Sequence, residues 1–395
     1  MDKGLVRVCP ICGSKTGEVL HHFNFTLPND SPLPKEYDLV SCMDCGFVFA
    51  DTPAPQSSYD SYYRSFSIYE DEKVSSGGTG GHDISRQKRM AKDVTRFIMD
   101  KRASILDIGC ANGGLLIELK KLGYADLCGI DPSKQCVKYV RDNGIPAYEG
   151  DIFSMGTSLP DKLYDGVILS HVMEHVRDIR GAMDRITAKM SEGACLYLEV
   201  PDASSYSSHY VVPFYFFDSE HINHFDEPSL DNLCGQFGLS SMAHEKKEIG
   251  LNGKNYPAVA GIFRKTSKTP ISNKIIPDLS SKISVQKYLK MSSKNSRWPE
   301  IEKLAGANEE VVVFGAGSFS QRIISQEPFN KLKIIAFVDN NRTKQGSRLM
   351  NIPVHPPEYL LKRKGPIIIS SALYSGDISE QIRSMGVKDP IYIVH

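Results

Sequence analysis

The chain has 395 residues, a length that suggests two or three domains rather than a single core. Hydrophobic residues make up 41% and charged residues 24%, and 47 basic residues balance 47 acidic ones, which excludes a typical disordered chain or nucleic-acid binder. No apolar stretch reaches the ~18 residues of a membrane span, and the N-terminus lacks a signal-peptide core. We therefore expect a cytoplasmic protein without membrane or nucleic-acid partners, in which paired cysteines favour metal binding over disulfides.

Two Cys-x-x-Cys pairs lie in the first segment, Cys9 with Cys12 and Cys42 with Cys45, and a glycine follows each pair. Four thiolates in tetrahedral geometry suit a structural Zn²⁺ and leave no coordination position open for catalysis. An iron–sulfur cluster and four small buried side chains are the alternatives. The sequence therefore predicts a zinc-binding module over residues 1–65, with these four cysteines as the ligands.

Residues 66–268 alternate predicted strands and helices. A helix is expected over 83–100, and the strands are SILDIG, DLCGID, YDGVILS and ACLYLEV, separated by GGLLIELKKLG, PSKQCVKYVRD and a helical 176–190. Repeated β–α units predict a parallel sheet covered by helices on both faces. The fold class is therefore α/β, with a Rossmann-like central domain.

A glycine-rich turn and a series of acidic residues follow successive strands of this domain. Small residues at the turn let a ligand approach the backbone, and an acid at the end of the next strand suits a ribose diol. This ordered series resembles the class I S-adenosylmethionine (SAM)-dependent methyltransferases, in which the turn carries the methionyl part and the later acids contact ribose and adenine. The expected cofactor-binding residues are Asp107, Gly109, Ala111, Gly113, Asp131, Asp151 and, at the reacting end, Ser170. An NAD site would prefer G-x-G-x-x-G, which the turn does not form.

Histidines and aromatic residues cluster after the later strands. His171 directly follows the strand YDGVILS, and the segment FYFFDSEHINHF over 214–225 interleaves aromatics with polar groups, as expected of a substrate-pocket wall. Each histidine taken alone is more simply a surface or core residue. The substrate-contacting candidates are Tyr215, Asp218, Asn223 and His224.

Taken together, the cysteine module, the SAM-type domain with its Glu-His pair and the C-terminal segment resemble bacterial sugar C-methyltransferases acting on nucleotide-linked keto-sugars. The resemblance implies that His221 is the base, with Glu220 beside it and His171 as a further catalytic residue. An active-site tyrosine of that family falls on Asp218 here, which leaves the substrate and the reaction open. Tyr62, Tyr63 and Tyr69 are expected either to cover the cofactor or to pack against the zinc module.

Residues 269–395 predict a second, smaller α/β domain behind a helical connector. Its glycine-rich turn GAGSFS over 315–320 follows a strand, and Asp339 ends the next strand. Three interpretations are open: an NAD site, a turn whose glycines serve only the backbone, or a domain that holds the nucleotide end of a sugar-nucleotide substrate. The family resemblance favours the third.

The leading functional hypothesis is thus SAM-dependent C-methylation of a nucleotide-linked sugar, with SAM as cofactor and structural Zn²⁺. O-methylation, methylation of another small molecule and an NAD-dependent oxidoreductase are alternative enzymes. A zinc-module interaction protein with an inactive SAM fold is the non-enzymatic alternative.

Overall fold

The structure, a computed structural model, describes residues 2–65, 81–251, 254–266, 270, 274–294 and 298–394. Within these ranges three β-sheets of five, seven and six strands organise the chain. No helix in the described ranges is both long enough and apolar enough to cross a membrane.

The first sheet is antiparallel and is built mostly from the N-terminal segment. Its elements are β1 (Asp2–Gly4), β2 (Thr16–Asn24), β3 (Glu36–Cys42) and β4 (Val48–Asp51), followed by α1 (Gln56–Ser65). The strands pair in chain order. Val40 and Phe49 belong to the same hydrophobic cluster as Phe225 and Leu230, far along the chain. A sheet this small cannot bury a sufficient core alone, so it shares one with its neighbour.

The central domain confirms the predicted β–α alternation. Its first elements are α2 (Gly81–Phe97), β5 (Ile105–Ile108), α3 (Gly114–Lys121), β6 (Leu127–Asp131), α4 (Lys134–Asp142), β7 (Ala147–Glu149), α5 (Met155–Ser158), β8 (Tyr164–Ser170), α6 (Ile179–Ala188) and β9 (Met190–Pro201). The domain continues with β10 (Asn223–His224), α7 (Glu227–Gly235), β11 (Leu239–Leu251) and β12 (Lys254–Lys265).

Five strands of the central sheet are parallel, in the order β7-β6-β5-β8-β9, and the antiparallel pair β12-β11 completes it. The parallel strands end at one edge, where the chain turns back into a helix. Local sequence starts these helices: the Ser133 side chain accepts from the Cys136 amide at the start of α4, and Asp226 with Ser229 forms a capping box on α7. The loops that follow the parallel strands therefore lie together at this edge, and the helix caps fix the points where the helices begin.

The C-terminal domain is a smaller copy of the same topology. Its elements are α8 (Ser280–Ser293), α9 (Trp298–Ala307), β13 (Glu310–Phe314), α10 (Ser318–Ile323), β14 (Lys333–Val338), β15 (Arg348–Leu349), β16 (Ile352–His355), β17 (Ile367–Ile369), α11 (Ser375–Ser384) and β18 (Ile391–Ile393). The parallel strands run β16-β14-β13-β17-β18, the same order of succession as in the central sheet, and β15 pairs antiparallel with β16.

The three segments interlock across the predicted boundaries after residues 65 and 268. β10 pairs with β4, so two residues of the central domain complete the N-terminal sheet. On α8, the Tyr288 hydroxyl donates to the Val212 carbonyl at 2.6 Å, and Ser292 accepts from the Phe214 amide at 3.0 Å. The segment that follows β9 is therefore held from both sides.

Candidate active site

The glycine-rich turn after β5 contains left-handed backbone conformations, which are unfavourable for residues that carry a side chain. Gly109 and Gly113 have φ of 71° and 67°, and a Cβ on either would lie 2.6 Å from a valine methyl of Val172 or Val140. Ala111 adopts φ of 45° without being glycine, a strained conformation that clusters at functional sites. The three positions expected from the sequence thus form one compact turn.

Acidic side chains hold this turn in place. Asp131, at the end of β6, accepts from the Ala111 amide at 2.8 Å and from the Ser133 amide at 2.9 Å. Asp107 is buried in β5, and burial together with the charge of Asp131 raises its pKa to about 8. Asp151 follows β7 and accepts from the Phe153 and Ser154 amides, both at 2.9 Å. Asp131 therefore holds the glycine turn and lies close to Asp107, while Asp151 orders its own loop after β7.

Ser170, at the end of β8, bridges two charged groups. It accepts from Arg86 of α2 at 2.8 Å and donates to Glu199 of β9 at 3.2 Å, while Arg86 also reaches Glu199 at 3.0 Å. Burial alone would raise the pKa of Glu199, but Arg86, His171 and Lys247 outweigh it and hold that pKa below its ordinary value. Arg86 and Glu199 also line a cleft of about 420 Å³ between α2 and β11.

A 3-10 helix, Met173–His175, follows β8, and the next charged groups lie on it or just before it. His171 has φ of 55°, and its Nδ1 lies 3.0 Å from Glu174 while its Nε2 lies 3.6 Å from Glu199. Burial would raise the pKa of Glu174, but the nearby His171 and His175 hold it below its ordinary value. Burial lowers the pKa of His175 to about 4, so this imidazole is neutral near pH 7. His175 was not singled out from the sequence.

Glu220 and His221 lie against this 3-10 helix. The His221 ring is 4.7 Å from the His175 ring, centroid to centroid, and its side chain is 27% exposed, which leaves it open to a ligand. Glu220 accepts from Tyr62 at 3.3 Å and from Tyr63 at 2.7 Å. Burial, and then the charge of Asp218, raise the pKa of Glu220.

The two tyrosines of α1, Tyr62 and Tyr63, contact the polar cluster through Glu220. Tyr63 also lies 2.6 Å from His175 Nδ1, so it contacts both an acid and an imidazole of this cluster. These contacts involve neither the cysteines nor the glycine-rich turn. Tyr69, the third tyrosine considered with them, lies outside the described residues.

Asp218, which was named as a substrate contact, is buried and contacts protein groups on two sides. Its side chain accepts from the amides of Glu220 at 3.2 Å and His221 at 2.8 Å and lies 3.4 Å from His221 Nδ1. On the other side, Arg322 of α10 reaches it at 3.3 Å. Burial would raise the pKa of Asp218, but His221 and Arg322 outweigh it and lower that pKa.

The expectation that Asn223 and His224 contact the substrate is corrected. Both lie in β10 and are 1% exposed. The Asn223 amide nitrogen donates to the carbonyls of Val176 at 2.8 Å and Met173 at 2.9 Å, and its oxygen accepts from Arg7 at 2.8 Å. These residues were named because polar groups alternated with aromatics, but the alternation reflects a buried strand joined to β4.

Tyr215, the remaining substrate candidate, is partly buried where the central and C-terminal domains meet. Burial raises the pKa of its phenol. The guanidinium carbon of Arg322 lies 5.7 Å from the centre of its ring, and the Tyr256 ring lies 5.9 Å away. Tyr215 therefore remains near the polar cluster, beside the residue that pairs with Asp218.

The four predicted cysteine ligands converge. Their sulfurs all lie within 4.8 Å of one another, with Cys9 3.6 Å from Cys45 and Cys12 3.4 Å from Cys42, and none forms a disulfide. A tetrahedral ion with Zn–S bonds of about 2.3 Å holds its sulfurs about 3.8 Å apart, so the cluster fits that ion. A Cβ on Gly46 would lie 1.8 Å from the Asp278 carbonyl oxygen, so this knuckle requires glycine.

The C-terminal glycine turn has the same hydrogen-bonding pattern as the turn after β5. Asp339 accepts from the Ala316 amide at 2.8 Å and from the Asn341 amide at 2.8 Å, as Asp131 does in the central domain. Gly315 has φ of 113°, and a Cβ there would lie 2.4 Å from the Ser370 carbonyl oxygen. Its glycine is thus required by the close approach of the loop after β17, whatever the turn binds.

The family described as "Methyltransferase domain" matches residues 82–244. The match covers 163 of the 395 residues, so it identifies a methyltransferase domain within the chain. The α/β fold expected from the sequence is confirmed for this domain, and the match agrees with the expected methyltransferase class. A second family, described as "C2185-like, N-terminal", matches residues 307–391.

Similar proteins include methyltransferases of several kinds. The ribosomal protein L11 methyltransferase of Neisseria gonorrhoeae (strain ATCC 700825 / FA 1090) is 29% identical over 121 residues, 31% of this chain and 39% of that protein. The (S)-tetrahydroprotoberberine N-methyltransferase of Eschscholzia californica is 22% identical over 138 residues, 33% of this chain and 36% of that protein. The N-methyltransferase NodS from Bradyrhizobium japonicum WM9, solved with S-adenosyl-L-homocysteine, is 14% identical with a TM-score of 0.39, covering 54% of this chain and 98% of that chain. The match thus spans less than two fifths of either curated relative.

Several residues of the site were missed by sequence reasoning. They are Arg86, Glu174, His175, Glu199 and Arg322. Glu199 has a usable signal, because it lies at the carboxyl end of a predicted strand. Arg86 and Arg322 have none, since each lies on a helix that only the tertiary fold brings to the site.

Proposed function

We propose that this protein uses SAM to methylate a carbon of a nucleotide-linked keto-sugar, with His221 as the base. The observation that carries the proposal is a continuous series of contacts from the strand edge to His221. The steps run Ser170–Glu199 at 3.2 Å, Glu199–His171 at 3.6 Å, His171–Glu174 at 3.0 Å, Glu174–His175 at 4.0 Å and His175–His221 at 4.7 Å between rings. In open α/β sheets, ligands bind at this edge of the strands.

Asp218 prepares His221 for this role. Its Oδ2 lies 3.4 Å from His221 Nδ1, a position that favours a proton on Nδ1 and leaves Nε2 as the basic atom. Asp218 is held in turn by the backbone amides of Glu220 and His221. The ring is therefore oriented by a group that is itself fixed, which is the arrangement a general base needs.

Bound SAM supplies an electrophilic methyl group. His221 Nε2 takes the proton from the carbon next to the acceptor ketone, and the electron pair left behind forms the new carbon–methyl bond as S-adenosylhomocysteine departs. Glu220 has a raised pKa and two tyrosine donors, so it is suited to hydrogen-bond the acceptor oxygen. His171, between Glu174 and Glu199, helps to fix the charged groups behind the base.

Structural zinc in the N-terminal module belongs to the same proposal. Cys9, Cys12, Cys42 and Cys45 would hold the ion, and four thiolates leave no position for substrate. The module shares its core and β10 with the methyltransferase domain, so the ion would stabilise the segment that carries Glu220 and His221. The C-terminal domain is proposed to hold the nucleotide end of the acceptor.

O-methylation is the second candidate, because the same His221 would take a hydroxyl proton. The resemblance of the whole chain to sugar C-methyltransferases favours carbon, while Asp218 in place of the family's tyrosine keeps oxygen open. An acceptor outside the sugars and an NAD-dependent activity of the C-terminal domain are the remaining alternatives.

The test combines binding with turnover. Calorimetry should show binding of S-adenosylhomocysteine and of a thymidine-diphosphate sugar, and none of NAD⁺. SAM consumption with a panel of nucleotide-linked 4-keto sugars should then give a product whose new methyl carbon is bonded to carbon by NMR. Turnover only with a non-sugar acceptor would refute the substrate assignment, and absence of S-adenosylhomocysteine binding would refute the enzyme class.

The base is tested with His221→Asn. We expect turnover to fall at least ~10²-fold while affinity for S-adenosylhomocysteine is unchanged, because proton transfer and cofactor binding use different groups. His22→Asn is the matched control, since His22 is 51% exposed on the N-terminal sheet and pairs only with acids there. Equal losses of turnover and cofactor affinity would mean that His221 is structural.

A further inference from the structure

The pair Asp218–Arg322 joins the methyltransferase domain to the C-terminal domain beside the proposed base. Arg322 lies on α10, directly after the C-terminal glycine turn, and its side chain is 3% exposed. Its Nη1 lies 3.3 Å from Asp218 Oδ2. A guanidinium this deeply buried requires a compensating charge, and Asp218 supplies it.

The Asp218 carboxylate is shared between the two domains. One oxygen, Oδ1, accepts from the backbone amides of Glu220 and His221. The other, Oδ2, lies 3.3 Å from Arg322 and 3.4 Å from the His221 ring. Arg322 therefore faces the same oxygen that orients the base, and any change in its position is passed to His221 through one atom.

The surroundings of Arg322 keep it in place but leave part of it unused. Its guanidinium carbon lies 5.7 Å and 5.8 Å from the ring centres of Tyr215 and Phe319. The Tyr37 hydroxyl donates to the Asp218 carbonyl at 3.0 Å, so the acid is also anchored from the N-terminal sheet. Arg322 Nε is buried with no hydrogen-bond partner among the described residues. A residue that served only to bind the domains together would be expected to use its remaining buried donor.

We propose that Arg322 is a positioning residue for methyl transfer: through Asp218 it fixes the His221 imidazole, so the C-terminal domain completes the catalytic site. The proposal rests on the role of His221 proposed above. It assigns the C-terminal domain a part in the chemistry that is separate from any binding of nucleotide by its glycine turn.

The test compares Arg322→Met, Arg322→Lys and Asp218→Asn with the double variant Arg322→Met/Asp218→Asn. Arg342→Met is the control, because Arg342 is an exposed arginine of the same domain. The first readout needs no acceptor. It is the NMR resonance of the His221 Cε1–H group in the full chain labelled with ¹³C-histidine. The resonance is assigned by its loss in His221→Asn. We expect the resonance to move in Arg322→Met and Asp218→Asn, to return towards its native position in Arg322→Lys, and to stay in the control.

The second readout is kinetic, with SAM and dTDP-4-keto-6-deoxyglucose as the probe acceptor. We expect Arg322→Met to lower kcat by about 10²-fold through misplacement of the base, with KM for SAM unchanged. Arg322→Lys should recover part of this loss, and the double variant should be no slower than Arg322→Met.

An unmoved His221 resonance in Arg322→Met would overturn the proposal, as would equal losses of kcat and of affinity for S-adenosylhomocysteine. If Arg322→Met does not fold, Arg322→Lys and the double variant, which removes both buried charges, decide by the same readouts. If the native protein does not turn over the probe, the acceptor assignment fails, while a moved resonance still supports the positioning role.

Discussion

Replacing Asn223 by alanine separates the structural role of this side chain from the substrate contact expected from the sequence. The substitution removes one acceptor of Arg7 and leaves the Val176 carbonyl without its donor, while the Met173 carbonyl keeps only its bond from the Val176 amide at 3.3 Å. All of these groups are buried, and each unsatisfied buried group costs about 1–3 kcal/mol. Arg7 still donates hydrogen bonds to the carbonyls of Arg177 and Ile222, which limits the damage. We therefore expect a total loss of about 3–5 kcal/mol in the free energy of unfolding.

The assay is urea denaturation of Asn223→Ala followed by circular dichroism, with calorimetric titration of S-adenosylhomocysteine below the transition. The control is Asn29→Ala, since Asn29 is exposed on the same module and should change the unfolding free energy by less than about 0.5 kcal/mol. Native-like stability together with a raised KM for the acceptor would refute our argument and restore Asn223 as a substrate contact.

Three further predictions follow from the same geometry. Asp131→Asn should weaken binding of S-adenosylhomocysteine by about 10–100-fold in calorimetry, because a charged acceptor for the ribose is lost; unchanged affinity would remove Asp131 from the cofactor site. Cys12→Ser should lose bound zinc, measured by atomic absorption, and unfold at lower temperature, because metal binding is coupled to folding; a stable, metal-free and active variant would contradict the structural zinc. Burial lowers the pKa of His224 from 6.5 to about 3, so between these values the unfolded chain binds the extra proton. Stability should therefore be full above pH 6.5 and fall as the pH falls towards 3. His224→Phe should reduce the loss between pH 7 and pH 4 by on the order of 3 kcal/mol in urea titrations; an unchanged pH dependence would show that His224 is not buried in its neutral form.

Sequence reasoning recovered the parts of the site that depend on local patterns. The turn from Gly109 to Gly113 and the acids at 107, 131 and 151 are recognisable because a strand, a glycine and a helix start follow one another within a few residues. The cysteine quartet is recognisable for the same reason, since each pair occupies one short turn. In the structure Asp131 accepts a hydrogen bond from the glycine turn, and the four cysteine sulfurs lie together.

The segment after β9 shows where local patterns stop being informative. Asp218, Glu220, His221, Asn223 and His224 lie within seven positions of one another and look alike in sequence. The tertiary structure separates them: Asp218 and Glu220 lie beside the accessible imidazole of His221, while Asn223 and His224 are buried in a strand paired with β4. Nothing in the sequence of this segment predicts that it pairs with β4.

The sequence by itself determined the α/β class, the glycine turn and the cysteine quartet, because each depends on neighbouring residues whose spacing determines backbone geometry. Only the tertiary structure decided which polar residues face the reacting edge. Arg86, Tyr63 and Arg322 come from three separate helices, and they meet the central cluster because packing brings those helices to it. Whether two buried charges pair depends on the distance between them in space, and their separation along the chain does not reveal that distance.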